Sequence, residues 1–272
     1  MEPELDTSTP LSRRRFLSAS MLGLGGVLLS GCARTVGGDG ETTTSAGRIT
    51  ARPRPDDRHA DSATGSPVLE PGLHRLSLSD GRDGMLYVPP SYQPERTTAL
   101  LVGLHGAGHG ADEQITLLRE SANRWNFVLM APESRGETWD VVGSGPDVPF
   151  IDRALEQVFE RAKVDKSRIW IEGFSDGASA ALSIGLTNGD LFRRIVAFSP
   201  GYMTPNARRG RPRIFVSHGT RDNVLPIERT GRPIVAKLKE QGYDVRFDVF
   251  DGPHTVPPDT LQRATRWLTA GG

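Results

Sequence analysis

The chain has 272 residues, with 33 basic and 33 acidic side chains, so no charge excess draws it to nucleic acid or anionic surfaces. No run of about 20 apolar residues occurs, which excludes a polytopic membrane protein. The single cysteine, Cys32, excludes both an internal disulfide and a Cys-rich metal site.

At the amino terminus a polar head runs into Ser12-Arg13-Arg14-Arg15-Phe16-Leu17. A short, Gly-rich apolar run follows to Leu29, and then Leu29-Ser30-Gly31-Cys32. A basic head, a short apolar middle and small residues before a cut predict a signal peptide over residues 1–31. The paired arginines resemble a twin-arginine signal, and Leu-Ser-Gly-Cys resembles the lipobox of bacterial lipoproteins, whose cysteine is acylated. These likenesses imply export to a bacterial cell envelope and a lipid anchor at Cys32. The anchor would lie on the outer side of the cytoplasmic membrane, or at a periplasmic or outer-membrane site. Residues 32–66 are rich in Gly, Thr, Ser, Asp, Arg and Pro and lack the apolar surface to offset ordering entropy, so they read as a flexible tether. Residues 67–272 remain as one folded domain.

Within that domain two strands come first, His74 to Ser79 and Met85 to Val88, joined by a Gly-containing turn and hence antiparallel. A strand over Ala99 to Leu104, a helix over Asp112 to Trp125 and a strand over Phe127 to Ala131 follow. Ile151, Ala154, Leu155, Val158 and Phe159 recur at helical spacing and predict a helix from Phe150 to Val164. Next come a strand (Arg168 to Glu172), a helix (Asp176 to Leu186) and two strands (Ile195 to Phe198 and Ile214 to His218). A helix over Pro226 to Gln241 ends at Gly242, followed by a strand over Val245 to Phe250 and a helix over Thr260 to Leu268. Apolar strands alternating with helices require an α/β architecture with a mostly parallel central sheet covered on both faces. Only short loops separate the elements, so no cap domain is expected and the site should be open.

Gly173-Phe174-Ser175-Asp176-Gly177 lies between an apolar strand and an Ala-rich helix. A serine there sits on a sharp turn, flanked by glycines that avoid collisions, with its hydroxyl facing out beside a helix amino terminus. Taken alone, an N-cap serine between turn glycines would explain it as well. Catalytic groups in an open α/β sheet gather at the carboxyl ends of the strands. Two partners lie there: Asp222 in His218-Gly219-Thr220-Arg221-Asp222, and His254 in Asp251-Gly252-Pro253-His254. His254 would shuttle the Ser175 proton while Asp222 orients the imidazole. His218 and Asp251 are rivals, each better explained by a local turn. Leu104-His105-Gly106-Ala107-Gly108 follows a strand, and its Ala107 amide (Gly108 next) would join the amide of Asp176 in an oxyanion hole. His105 and His109 have a spacing that could bind zinc on a helix, but the interleaved glycines argue against a helix there. Trp139, Asp140 and Asp147 lie on a loop expected to border the site, as substrate contacts or as plain loop packing.

Together these motifs, with Ala131-Pro132-Glu133-Ser134-Arg135-Gly136 and Trp139-Asp140, make residues 84–270 resemble the α/β-hydrolase superfamily. The nearest groups are its capless phospholipase/carboxylesterases and its polyhydroxybutyrate-depolymerase-like or feruloyl-esterase-like esterases. The resemblance implies ester hydrolysis through an acyl-enzyme at Ser175, acting on a small-molecule or lipid ester with no metal or organic cofactor. An acyltransferase using the same triad, or a catalytically silent ligand-binding envelope lipoprotein, are the other readings.

Overall fold

The computed structural model describes residues 46–54, 69–141 and 145–270. The signal peptide, Cys32 and most of the expected tether lie outside the described residues. In chain order the elements are β1 (Gly72–Arg75), β2 (Gly84–Val88), β3 (Thr98–Leu104), α1 (Ala111–Trp125), β4 (Phe127–Pro132), α2 (Asp147–Arg161) and β5 (Val164–Phe174). Then come α3 (Asp176–Thr187), β6 (Arg194–Phe198), β7 (Arg213–Gly219), α4 (Gly231–Glu240), β8 (Val245–Phe250) and α5 (Pro258–Thr269).

The strands form one sheet of eight in the order β1-β2-β4-β3-β5-β6-β7-β8. The β1–β2 and β2–β4 pairs are antiparallel, and every pair from β4 through β3 to β8 is parallel. The expected mostly parallel sheet with an antiparallel lead-in is therefore present. Strands β3 and β4 are buried at every position, as a sheet covered on both faces requires. Helices α2, α3 and α4 pack on one face through Leu155, Leu182 and Leu238. The other face takes α1 and α5 through Leu118 and Leu268. From β3 the chain crosses outward to β4, then returns through α2 to β5 on the opposite flank of β3. The connections leaving β3 and β5 thus diverge onto opposite faces, and the gap between them is where a doubly covered sheet opens to a ligand.

Three of the element boundaries that differ from expectation do so for local reasons. Strand β1 ends at Arg75 because Ser77 turns left-handed (φ 57°) and the Asp83 carboxylate takes the amides of Ser77 and Leu78 at 2.8 and 2.9 Å. Helix α2 runs from Asp147 rather than Phe150 and stops at Arg161, since Ala162 is extended (φ −130°, ψ 142°) to feed β5. Helix α4 begins at Gly231, because Pro226 to Thr230 form a turn in which the Thr230 hydroxyl donates to the Pro226 carbonyl at 3.0 Å. The longest described connection beyond the sheet edge, residues 199–212, carries no helix.

A correction concerns the tether. Residues 46–54, expected to be part of it, lie against the domain. Ile49 is fully buried, and the Asn188 side chain accepts from its amide (2.9 Å) while donating to the Gly47 carbonyl (2.9 Å). Asp152 accepts from the amides of Thr50 and Ala51 at 2.9 and 2.8 Å. Asp190 pairs with Arg48 at 2.5 Å and with Arg52 at 2.9 Å, and the Arg48 contact holds its carboxyl far below the usual carboxylate range. Composition concealed this because one apolar side chain and three polar acceptors, rather than an apolar stripe, carry the segment. Asn188→Ala should cost about 2–4 kcal/mol, since it strands buried backbone groups. A lower urea midpoint together with lost exchange protection at the Ile49 amide would establish it.

Candidate active site

Ser175 stands between β5 and α3 with φ 57° and ψ −115°, a conformation that L residues rarely adopt. The surrounding backbone imposes it. The Ser175 amide donates to the Phe198 carbonyl of β6 at 2.9 Å, and the Ser175 carbonyl accepts from Ala178 and Ser179 at 3.1 Å each. A Cβ on Gly173 would lie 2.2 Å from the Gly177 carbonyl oxygen, and one on Gly177 would lie 2.1 Å from that of Leu104. Both flanking glycines are thus required by contact distance, as the motif suggested. The second contact also seats the 104–108 turn directly against the start of α3.

His254 and Asp222 arrive from neighbouring parallel strands whose exit turns are tied together. Thr220 donates its amide to the Phe250 carbonyl, and Arg221 its amide to the Gly252 carbonyl, both at 2.9 Å. His254 Nε2 lies 2.9 Å from Ser175 Oγ, and its Nδ1 lies 2.6 Å from Asp222 Oδ2. Asp222 Oδ1 accepts the amides of Val224 (3.0 Å) and Leu225 (2.8 Å). Burial alone would raise the Asp222 carboxyl, but the Leu225 amide and the His254 ring overcome it and hold the group below its usual range. An anionic Asp222 assigns Nδ1–H to His254 and leaves Nε2 as the acceptor for the serine hydroxyl. Phe174 stacks on the imidazole with centroids 4.8 Å apart. The three residues expected to converge do so.

Both rivals are engaged locally. His218 is fully buried, donates Nε2–H to the Leu225 carbonyl at 2.7 Å and lies 3.2 Å from Asp222 Oδ2. Burial pushes its pKa down, so it is a neutral prop for the Asp222 turn. Asp251 pairs with Arg221 at 2.6 Å and faces away from the imidazole partner role.

On the 104–108 turn, the Gly108 amide is committed to the Glu137 carbonyl at 2.7 Å. Among the described residues no protein acceptor takes the amides of Ala107 or Asp176, which lie on adjoining segments. Both nitrogens of His105 are occupied, Nδ1 toward the Gly106 carbonyl (2.8 Å) and Nε2 by the Ser134 amide (3.0 Å). Burial lowers its pKa, so it braces the turn as a neutral ring. His109 instead contacts Glu113 at 2.8 Å. Among the described residues no cluster of His, Cys, Asp and Glu could hold a metal.

Trp139 and Asp147 serve loop packing. Trp139 is 4 % exposed and donates its indole N–H to the His105 carbonyl at 2.9 Å, while Asp147 accepts the amides of Arg135 and Asp140. Asp140 is exposed. Sequence reading missed the cross-ties on the Asp176 carboxylate, which accepts from the Trp139 amide (2.8 Å) and the Tyr202 hydroxyl (3.2 Å). Burial and these acidic neighbours push the Tyr202 phenol up to about 12. No sequence spacing marks such a contact, because Tyr202 comes from a loop after another strand.

The sequence also gives no sign of Glu172 on β5, which is fully buried and, among the described residues, hydrogen-bonded only by the side-chain amide of Gln114 from α1. Gly103 makes room for that reach, since a Cβ there would stand 2.8 Å from Gln114 Cγ. Burial raises the Glu172 carboxyl to about 8, so it is protonated at neutral pH. A raised folded-state pKa gives stability that is complete below the unfolded value and lost as pH climbs through about 8. Glu172→Gln should therefore raise the melting temperature at pH 9 and do little at pH 5. Equal shifts at both pH values in thermal melts would show that Glu172 does not titrate.

Solved esterases share this fold. Esterase PE8 shares the fold with a TM-score of 0.58 at 23 % identity, over 68 % of this chain and 96 % of that one. The butyrate-bound esterase of Thermogutta terrifontis gives 0.56 at 19 % identity, over 74 % and 94 % of the two chains. The fold is that of the α/β-hydrolases. A phospholipase/carboxylesterase family profile matches residues 148–270. A probable feruloyl esterase C of Aspergillus niger is 28 % identical over 171 residues, covering 60 % of this chain. An acyl-protein thioesterase 1 of Eremothecium gossypii is 27 % identical over 143 residues, covering 49 % of this chain and 60 % of its own. The chain spans 62 % of the length of the feruloyl esterases it matches.

Proposed function

We propose that this protein hydrolyses carboxylic esters through an acyl-enzyme at Ser175. One observation carries the reading: an unbroken relay from Ser175 Oγ to His254 (2.9 Å) and on to Asp222 (2.6 Å). His254 Nε2 takes the hydroxyl proton as Oγ attacks the ester carbonyl carbon. The oxygen that becomes negative is met by the amides of Ala107 and Asp176, each such donor being worth about 3 kcal/mol in the transition state. As the tetrahedral adduct collapses, the imidazolium passes its proton to the departing alkoxide. Water then repeats the cycle on the acyl-enzyme and regenerates Ser175. Asp222 stays anionic throughout and stabilises the imidazolium. The relatives named for esterase and thioesterase activity support this class of reaction, as all act on acyl groups carried by oxygen or sulfur.

The test is covalent labelling with a fluorophosphonate, which reacts only with an activated serine. The full chain should label with one equivalent and lose labelling in Ser175→Ala. A protein left unlabelled under conditions that saturate a known serine hydrolase would end the reading.

The same reading places the enzyme at the cell envelope, held through Cys32 by a lipid. Support comes from the residues 12–32 pattern alone. Cys32→Ala should move the protein from the membrane pellet to the soluble fraction, and unchanged fractionation would remove the anchor.

A further inference from the structure

A pocket of about 190 Å³ opens beside His254, on the face of the sheet covered by α1 and α5. Its apolar lining is Leu117, Phe174 and Val256, each half-buried, and its polar lining is Glu113, Gln114, Thr255 and the His254 ring. The Glu113 carboxylate contacts His109 at 2.8 Å. Of the relay from Ser175 to Asp222, the His254 ring borders this space.

The two halves of an ester are not equivalent at such a site. The leaving oxygen must receive a proton from His254 Nε2, so the alcohol half departs on the side of Ser175 that the imidazole occupies. That ring stacks on Phe174, whose side chain lies on the α1 and α5 face. Across the elbow, on the α3 face, Tyr202 reaches Asp176, and the amides of Gly201 and Tyr202 are held by the Ser179 hydroxyl at 2.9 and 3.3 Å. From this arrangement, and resting on the esterase reading above, we infer that the pocket formed by Leu117, Phe174 and Val256 receives the alcohol half of the substrate and selects compact apolar alcohols. Its volume falls below the roughly 300–1,000 Å³ of pockets that enclose drug-sized ligands, and so suits a butyl- or benzyl-sized group. Leu117 also lines a second depression between α1 and α5, with Trp125 and Leu261, and so stands between the two.

Two ester series separate the halves: acetates of methanol, butanol, benzyl alcohol and octanol, and methyl esters of acetic, butyric and benzoic acids. Leu117→Trp fills the pocket and should lower kcat/KM for butyl and benzyl acetate about 10-fold or more, a step the size of a few methylene contacts. All methyl esters should stay within about threefold of the parent, the scatter expected when a site is untouched. Leu117→Ala joins the two depressions and should raise octyl acetate turnover relative to methyl acetate. Leu117 lies half-buried on α1, and if the Trp variant fails to fold, the Ala variant alone decides. An alcohol profile unchanged in the folded variants, or a change confined to the acyl series, overturns the inference while methyl ester turnover keeps the esterase reading intact. Loss of that reading would instead appear as no turnover of any ester and no label at Ser175 in the parent.

Discussion

Asp222→Asn should lower kcat by about 10⁴-fold while leaving the melting temperature close to that of the parent. The reason lies in which atom the asparagine would present. The amides of Val224 and Leu225 both donate to Asp222 Oδ1, so an asparagine must place its carbonyl oxygen there. Its NH₂ then replaces Oδ2, which now accepts from His254 Nδ1 at 2.6 Å. Facing a donor, Nδ1 must give up its hydrogen, and the proton moves to Nε2. An imidazole with Nε2–H pointing at Ser175 Oγ, 2.9 Å away, cannot take the serine proton. The neutral His218 beside Oδ2, at 3.2 Å, offers no compensating negative charge. Steady-state kinetics with a small ester, alongside thermal melting, measure both halves of this expectation. Turnover within about tenfold of the parent would remove Asp222 from the relay.

Gly177→Ala should damage both stability and turnover, by more than about 3 kcal/mol and more than about 100-fold. The added methyl would stand 2.1 Å from the Leu104 carbonyl oxygen and 2.5 Å from that of His105. Both are backbone atoms of a turn whose His105 is fully buried, so neither can step aside as a flexible side chain would. Relief requires α3 to pull away from the 104–108 turn, which separates the amides of Ala107 and Asp176 proposed to form the oxyanion hole. Gly106→Ala is the matched control. Its Cβ would approach the His109 and Phe174 rings no closer than 3.5 Å, so it should fold normally. Urea unfolding and kcat of the two variants decide the matter, and equal behaviour would refute the contact argument.

Much of the domain was legible in the chain because local chemistry and global fold agree. The alternation of apolar runs with helical stripes located every strand and helix, and Gly173 and Gly177 marked the sharp turn before any contact was known. Boundaries slipped where a side chain a few residues on intervened, as when Asp83 ended β1 by capturing the amides of Ser77 and Leu78. Residues 46–54 read as tether because Asn188, Asp152 and Asp190 supply from afar the partners that composition cannot reveal.

Residue types and their order along the chain determined by themselves the sheet class, the serine turn, and the short list of acids and bases at strand ends. Tertiary structure decided which of them meet. It chose His254 over His218 because only the β8 exit turn carries an imidazole to Ser175, and Asp222 over Asp251 because the latter is spent on Arg221. It also created what no local pattern encodes: the buried Glu172, the Tyr202 tie to Asp176 and the pocket beside His254. Periodicity reports which face of an element is buried, whereas contacts between loops of different strands depend on twist, register and turn geometry acting together.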